Sequence, residues 1–381
     1  MDSRIRKLAE QHAAACKEEA EALLRALGQI PAPSRQEGLR AAFVRSWLLE
    51  QGAEDVIIDD AKNVLFGIGC AEHTDIVVFA AHTDVVFPDT GTLPMREENG
   101  RLYAPGIGDD TANLVHLLMG AKYLLKNRLP TTCGILFAAN SCEEGLGNLD
   151  GVREIFTKYG SRIREFYSFD CYMPCCCGSA VGSYRYRVTC KTRGGHSFAD
   201  FGQPNAIEIL CGLVERLYRI PLPEDGRTTF NVGRIEGGTT VNAIAQECSM
   251  LYEFRSTSQA SLMTMDAAFQ EALESVRASD ISLTAELLGV RPGNGFLNEA
   301  VQQELTRRTA EIIHQFCPEP INFAPSSTDS NIPLSLGIPA NTVGTIRGGG
   351  AHTREEWVDL DSMVPGQAIA LSLMLQYVVL S

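Results

Sequence analysis

The sequence predicts an α/β protein whose main domain is interrupted by a smaller α+β domain. Three observations point there. Short apolar runs alternate with helical patterns up to about Ser179. Near Gly182 the texture changes to strands of alternating polarity. From Gly295 the α/β texture returns, so the smaller domain is an insertion. A length of 381 residues exceeds one usual core and agrees with two domains.

Taken in order, Ile5, Leu8, Cys16, Ala20, Leu23 and Leu27 recur at helical spacing, which predicts one helix from Ser3 to about Leu27. Ile30-Pro31-Ala32-Pro33-Ser34 stops it. Glu37 to Gln51 reads as a second helix, with Leu39, Phe43, Trp47 and Leu48 on its buried face and Gly52 as its C-cap. A helix after Asp110 carries Leu114, Leu117, Leu118, Ala121 and Leu124. In the insertion, Ser183–Thr189 reads as a strand and about Asn205–Tyr218 as a helix. Thr228–Ile235 and Ser249–Arg255 follow as strands, then a helix at about Ser258–Ala278 and a strand at Ile281–Leu287. This β-α-β-β-α-β order is ferredoxin-like. The expected limits are 1–181 with 293–381 for the main domain and 182–292 for the insertion.

The formal net charge of -14, with pI near 5.0, argues against a nucleic-acid binder held by phosphate contacts. No apolar run reaches membrane-spanning length, and no signal core follows Met1-Asp2-Ser3-Arg4. A cytoplasmic protein with no membrane partner is expected. There are 12 cysteines, but without a secretion signal they do not imply a disulfide framework. Cys171, Cys175, Cys176 and Cys177 form the one cluster. They read as reduced structural thiols, with redox sensitivity or a soft-metal site as alternatives.

The chemistry-bearing residues are spread along the chain. His82 closes the apolar run Ile76–Ala81 and is followed by Thr83-Asp84. Asp109 stands in Gly106-Ile107-Gly108-Asp109-Asp110, and Glu144 in Cys142-Glu143-Glu144-Gly145. Asp170 closes Phe166–Phe169, and His352 follows Gly348-Gly349-Gly350-Ala351. Several sit at the end of an apolar run, where open α/β sheets bind ligands. Mixed imidazole and carboxylate ligation suits zinc and related divalent ions. A set this acidic suits a catalytic pair of ions better than a structural zinc, which favours a closed cysteine-rich set.

Each residue alone has a simpler reading. His-x-Asp is often a surface or core pair. Asp109-Asp110 suits an N-cap for the next helix, Glu143-Glu144-Gly145 a solvated turn, and Asp170 the start of a turn. His352 is harder to explain structurally, because a triple-glycine loop is costly in chain entropy. His12 and His116 read as helix residues, His73 and His314 as surface.

Together the motifs resemble those of the M20 family of metallopeptidases and deacylases, from about Pro31 to Val364. His82-Thr83-Asp84-Val85-Val86, Gly106-x-Gly108-Asp109-Asp110 and Glu143-Glu144-Gly145 occur in family order. So do Gly194-Gly195-His196-Ser197, Gly237-Gly238-x-x-x-Asn242, Thr328-Asp329-Ser330-Asn331 and Gly348-Gly349-Gly350-Ala351-His352-Thr353. None is specific alone; in this order they are very specific. The resemblance implies a zinc-peptidase-like α/β domain with an inserted lid and dimerisation domain. It implies that His82 and Asp170 complete one metal's shell, that Glu144 and His352 complete the other's, and that Asp109 bridges the two. Asp84 would orient His82, and Glu143 would be the general base. His196 would assist the oxyanion, from the insertion and from a partner subunit. Asn242 and Arg255 would bind substrate, Arg255 through a fork that matches a carboxylate; a surface ion pair is the other reading of Arg255. Many members carry Lys-Gly where this chain has Thr111-Ala112, which implies altered packing or a changed pocket.

The expected function is a cytosolic exopeptidase of short peptides with two divalent ions, zinc first, cobalt or manganese as alternatives. An N-acyl-amino-acid deacylase would use the same chemistry. A catalytically inactive binding or assembly relative is the alternative of a different class. A homodimer through the insertion is expected, with no nucleic-acid partner.

Overall fold

The computed structural model describes residues 2–380; Met1 and Ser381 lie outside the described residues. The chain divides into two compact units, Met1–Ala180 with Phe296–Ser381, and Val181–Gly295.

The first unit is built on a seven-stranded sheet. Its order is Ile57–Ile58, Val64–Ile68, Gly134–Asn140, Ile76–His82, Ile163–Phe169, Ala340–Val343 and Cys176–Cys177. The four strands from Gly134–Asn140 to Ala340–Val343 run parallel, and the outer pairings are antiparallel. Ile76–His82 and Gly134–Asn140 are buried along their whole length, as parallel strands covered on both faces must be. Their alternate side chains enter different cores. Val77, Phe79, Ala81, Ile135 and Phe137 meet the helices Lys17–Gly28, Ala112–Asn127 and Met363–Leu375 through residues such as Leu24, Leu117 and Leu371. Ile76, Val78, Ala80 and Leu136 meet Val152 and Ile155 of the helix Asp150–Tyr159.

A small antiparallel sheet adjoins this core in the order Gly348–Gly349, Trp357–Asp359, Arg101–Tyr103, Arg96–Glu98. It carries the loop that holds His352. Gly348 is required there: a Cβ would lie 2.5 Å from both the Trp357 carbonyl and the Tyr172 ring.

The second unit has a four-stranded antiparallel sheet, ordered Thr228–Gly237, Glu247–Ser256, Gly182–Lys191, Ser282–Arg291. Cys248, Met250, Tyr252 and Phe254 alternate inward from Glu247–Ser256 and pack with Leu210 and Leu213 of the helix Ala206–Leu217 and with Leu262, Met265 and Phe269 of Gln259–Glu274. The caps explain where these helices start. Asn205 and Ser258 accept from the amides of Ile207 and Ser261. A pair of two-residue strands, Gly195–His196 and Ala243–Ile244, stands apart from this sheet.

Two sequence expectations change. The Ser3–Leu27 helix is two, Ser3–Ala15 and Lys17–Gly28, broken where Cys16 leaves helical geometry at φ -103, ψ 8. Glu18 and Glu19 open the second helix, a start signal that the unbroken apolar periodicity hides. The second expected helix spans Gly38–Glu50, but Leu39 is 62% exposed. Its buried face carries Arg40, Ala41, Val44 and Leu48. All 12 cysteines are free. His116 is buried in its helix, while His314 lies exposed on the helix Glu299–Phe316. Among the described residues, no helix is long and apolar enough to cross a membrane.

Candidate metal centre

The carboxyl ends of the parallel strands gather the site. His82 ends Ile76–His82 in register with Asn140, the last residue of Gly134–Asn140. Glu143 and Glu144 follow Asn140 through a turn in which Cys142 is left-handed at φ 60. Asp170 follows Ile163–Phe169 directly. Asp109 lies in the loop Ile107–Thr111, ahead of the helix Ala112–Asn127, and its peptide bond to Asp110 is cis. His352, at φ 65, comes from the small sheet.

Asp109 is shared between two groups. Its Oδ1 lies 3.1 Å from His82 Nε2 and its Oδ2 lies 3.2 Å from His352 Nε2. His352 Nε2 is also 3.2 Å from Glu144 Oε1. Ligand atoms of His82, Asp109 and Asp170 lie within 4.8 Å of one another, as do those of Asp109, Glu144 and His352, and those of His82, Glu143 and Glu144.

A buried shell fixes these groups. His82 Nδ1 contacts the Asp84 carbonyl at 3.0 Å. The Asp84 carboxylate lies 3.5 Å from the same nitrogen, and it accepts from the backbone amides of Glu143 and Glu144 at 2.9 Å each and from the Ser34 hydroxyl at 2.7 Å. Asp84 therefore sets the backbone of the two glutamates as well as the imidazole. Asp110 accepts from the His82 amide at 2.9 Å. Glu356 accepts from the amides of Gly106, Gly108 and Asp109 at 3.1, 2.7 and 2.7 Å, which clamps the Asp109 loop. Thr111 is buried; its hydroxyl donates to the Gly106 carbonyl and accepts from Arg40.

Electrostatics define what the cluster can hold. Burial pushes the Asp170 and Glu144 carboxyls up to about 7, with the charge of Asp109 adding to each. Burial likewise raises Asp110, and raises Asp329 together with the charge of Glu143. Burial alone would lower His82, but the charge of Asp110 and hydrogen bonds to Asp109 and Asp84 hold it well above the usual histidine range. Hydrogen bonds to Asp109 and Glu144 lift His352 to about 10. Burial opposes ionisation of Asp109, yet its hydrogen bonds to His352 and His82 hold it below the usual carboxylate range. These groups share positive charge wherever they can find it, as protons on nitrogen or on oxygen. Divalent cations would serve the groups that face one another, His82, Asp109, Asp170, Glu144 and His352. The spacing also fits. Zinc bonds of roughly 2.0–2.2 Å place tetrahedral ligand atoms about 3.4 Å apart, close to the 3.1 and 3.2 Å separations here. The donor set and its geometry suit divalent ions.

The remaining sequence candidates lie in the second unit. His196 Nδ1 accepts from the amides of Phe198 and Ala199 at 3.2 and 3.3 Å. A neutral ring then carries its proton on Nε2, as a donor. Asn242 neighbours it, because its carbonyl accepts from the Ser197 amide at 3.0 Å. Arg255 stands on the strand Glu247–Ser256, with its fork on Glu253 at 3.1 and 3.2 Å. That is the ion-pair reading of Arg255.

Sequence reasoning passed over Arg40, Asp110, Ser34 and Glu356. Asp110 and Ser34 stood inside quoted segments, but nothing marks which carboxylate of a pair points inward. Glu356 and Arg40 contact the site from distant segments, a relation that no local pattern carries.

A mixed α/β fold with imidazoles and carboxylates gathered at its carboxyl strand ends is the architecture of a metallohydrolase. The chain belongs to peptidase family M20/M25/M40, whose model matches residues 78–376. It is 25% identical over 339 residues to the uncharacterised protein YqjE of Bacillus subtilis, covering 85% of this chain and 87% of that one. It is 24% identical over 294 residues to a succinyl-diaminopimelate desuccinylase of Methylorubrum populi, covering 70% and 75%. Its fold matches the crystal structure of aminopeptidase PepT from Bacillus cereus with a TM-score of 0.73 at 20% identity, over 94% of this chain and 97% of that one.

Proposed function

We propose that this chain is a two-metal exopeptidase of short peptides. The observation that carries the reading is the Asp109 carboxylate, placed between His82 and His352 with one oxygen toward each. Asp109 would bridge two ions, His82 and Asp170 would complete one shell, and Glu144 and His352 the other. Two divalent ions bound there would supply Lewis-acid polarisation of the scissile carbonyl and acidify the attacking water.

The chain's own groups do the rest. Glu143, whose amide is fixed by Asp84, accepts the water's proton as the oxygen attacks the carbonyl carbon. It returns that proton to the amine as the carbon–nitrogen bond breaks. His196 donates from Nε2 to the developing oxyanion, contributed by a second copy of the chain. The Val181–Gly295 unit acts as lid and dimerisation domain, with Asn242 beside His196 on the substrate. Arg255 takes a substrate carboxylate only if it leaves Glu253.

The likeness to a desuccinylase supports a second reading, hydrolysis of an N-acyl amino acid by the same steps. One panel separates the two. Dialysed protein is assayed on dipeptides, tripeptides, and N-acetyl and N-succinyl amino acids, with zinc, cobalt or manganese. Cleavage of free-amine peptides that depends on added metal is the expected result. Hydrolysis confined to the acylated amino acids would favour the deacylase. Turnover of nothing, or turnover insensitive to chelation, would remove both readings.

A further inference from the structure

The first unit buries many carboxyl groups, among them Glu37, Asp84, Asp110, Glu143, Asp170 and Glu356. Among arginine and lysine, one wholly buried cation stands beside them. Arg40 is the sole buried arginine or lysine among the described residues of this unit, and it is fully enclosed. No carboxylate lies within ion-pair distance of it among the described residues. Its contacts are neutral oxygens: the carbonyls of Ile30 and Thr83 at 2.9 and 3.0 Å, and the Thr111 hydroxyl at 3.1 Å. Nη2 has no partner. Thr83 separates His82 from Asp84, and Thr111 closes the Asp109 loop. Burial lowers Arg40 to about 10, opposed by the charges of Asp84, Asp110 and Glu356.

A buried charge is tolerated only when something compensates it. Hydrogen bonds from neutral oxygens solvate the guanidinium but do not cancel its charge. The compensation must come through space from the acidic cluster, where a low local dielectric lengthens the reach of charge. The dependence runs both ways, since without Arg40 the acidic cluster loses its one buried guanidinium.

We infer that Arg40 is the resident counter-cation of the metal centre, a positioning residue that keeps the cluster folded while it holds no metal. This rests on the two-metal reading. Once the ions are bound they supply the positive charge themselves, so the role of Arg40 then shrinks to its three hydrogen bonds. Its charge also opposes ion entry, so the same residue that preserves the empty centre moderates its affinity.

The test compares thermal unfolding of the wild type, Arg40→Met and Arg40→Lys, each stripped of metal and each with saturating zinc. Methionine keeps volume without charge; lysine keeps charge without the fork. The inference expects zinc to raise the Tm of Arg40→Met by at least about 5 °C more than it raises that of the wild type. Arg40→Lys should show the wild-type rise. A methionine variant that folds only with zinc is the extreme of the expected result. A rise equal to or smaller than the wild type's would make Arg40 a packing residue and overturn the inference, as would a variant that folds in neither state. An enlarged rise in Arg40→Lys would assign the effect to the fork and overturn the inference equally. A wild type whose Tm does not respond to zinc, cobalt or manganese would instead remove the two-metal reading, and this inference with it.

Discussion

The backbone amide of Glu143 donates to Asp84 Oδ1 at 2.9 Å. A carboxylate two residues past a strand-terminal histidine thus holds the main chain of the residue proposed as general base. Its other oxygen takes the amide of Glu144. Asparagine at position 84 keeps the shape but turns one acceptor into a donor, which must face an N–H. Asp84→Asn should lower kcat about 10- to 100-fold, the usual cost of disturbing groups behind metal ligands. Steady-state kinetics at saturating metal checks it. Unchanged kcat would mean that the two amides hold their place unaided.

Glu143→Gln should leave both ions bound and reduce turnover about 100- to 10,000-fold, because only proton transfer is lost. Elemental analysis beside single-turnover kinetics reads the two effects separately. Near-normal turnover would take Glu143 out of the mechanism.

Asp109→Ala should lose more metal than either His82→Ala or His352→Ala. Each histidine contacts one oxygen of Asp109, whereas Asp109 contacts both histidines. Metal content after equilibrium dialysis decides the order. Equal losses across the three variants would argue against a bridging carboxylate.

His116 supplies a pH dependence at a residue outside the proposed ligand set. It is fully buried against Thr345, at 2.9 Å, and burial lowers it from 6.5 to about 3. The folded chain thus binds fewer protons here than the unfolded chain between those values. Its contribution is intact above pH 6.5 and is lost as pH falls from 6.5 toward 3, with a slope of at most about 1.4 kcal/mol per pH unit. His116→Gln should flatten acid unfolding across that interval by up to one proton, measured by denaturant titration at several pH values. An identical slope in the variant would show that other groups set the acid limit.

The sequence discloses different parts of this molecule to different degrees. Strands are plain where burial on both faces makes every residue apolar, as in Ile76–Ala81. Residues such as His82 and Asp170 stand out because a polar group ends such a run abruptly, and the structure gathers them. The face of the helix Gly38–Glu50 is not legible, because periodicity counts Leu39 as inward and Arg40 as outward. The fold does the reverse, since a guanidinium can be buried where two carbonyls, a hydroxyl and distant charges await it. Glu356 is hidden for a related reason. Its partners are backbone amides of Gly106, Gly108 and Asp109, and amides leave no trace in residue identity.

Ser183 pairs with Arg291 across the first and last long strands of the second unit, and a Cβ on Gly182 would lie 2.7 Å from the Gly293 nitrogen. The unit therefore begins and ends side by side. If it folds early, it turns a long interruption into a short tether between the two segments of the main domain. Ile163–Phe169 and Ala340–Val343, which pair in parallel, then meet across a loop shortened by the length of the insertion. The entropy of closing a loop grows with its length, and slow searches for distant contacts leave strand edges exposed to aggregation. An insertion that looks like an obstacle along the chain acts in three dimensions as a clasp, and the order of synthesis favours it, because residues 181–295 leave the ribosome before Ala340–Val343.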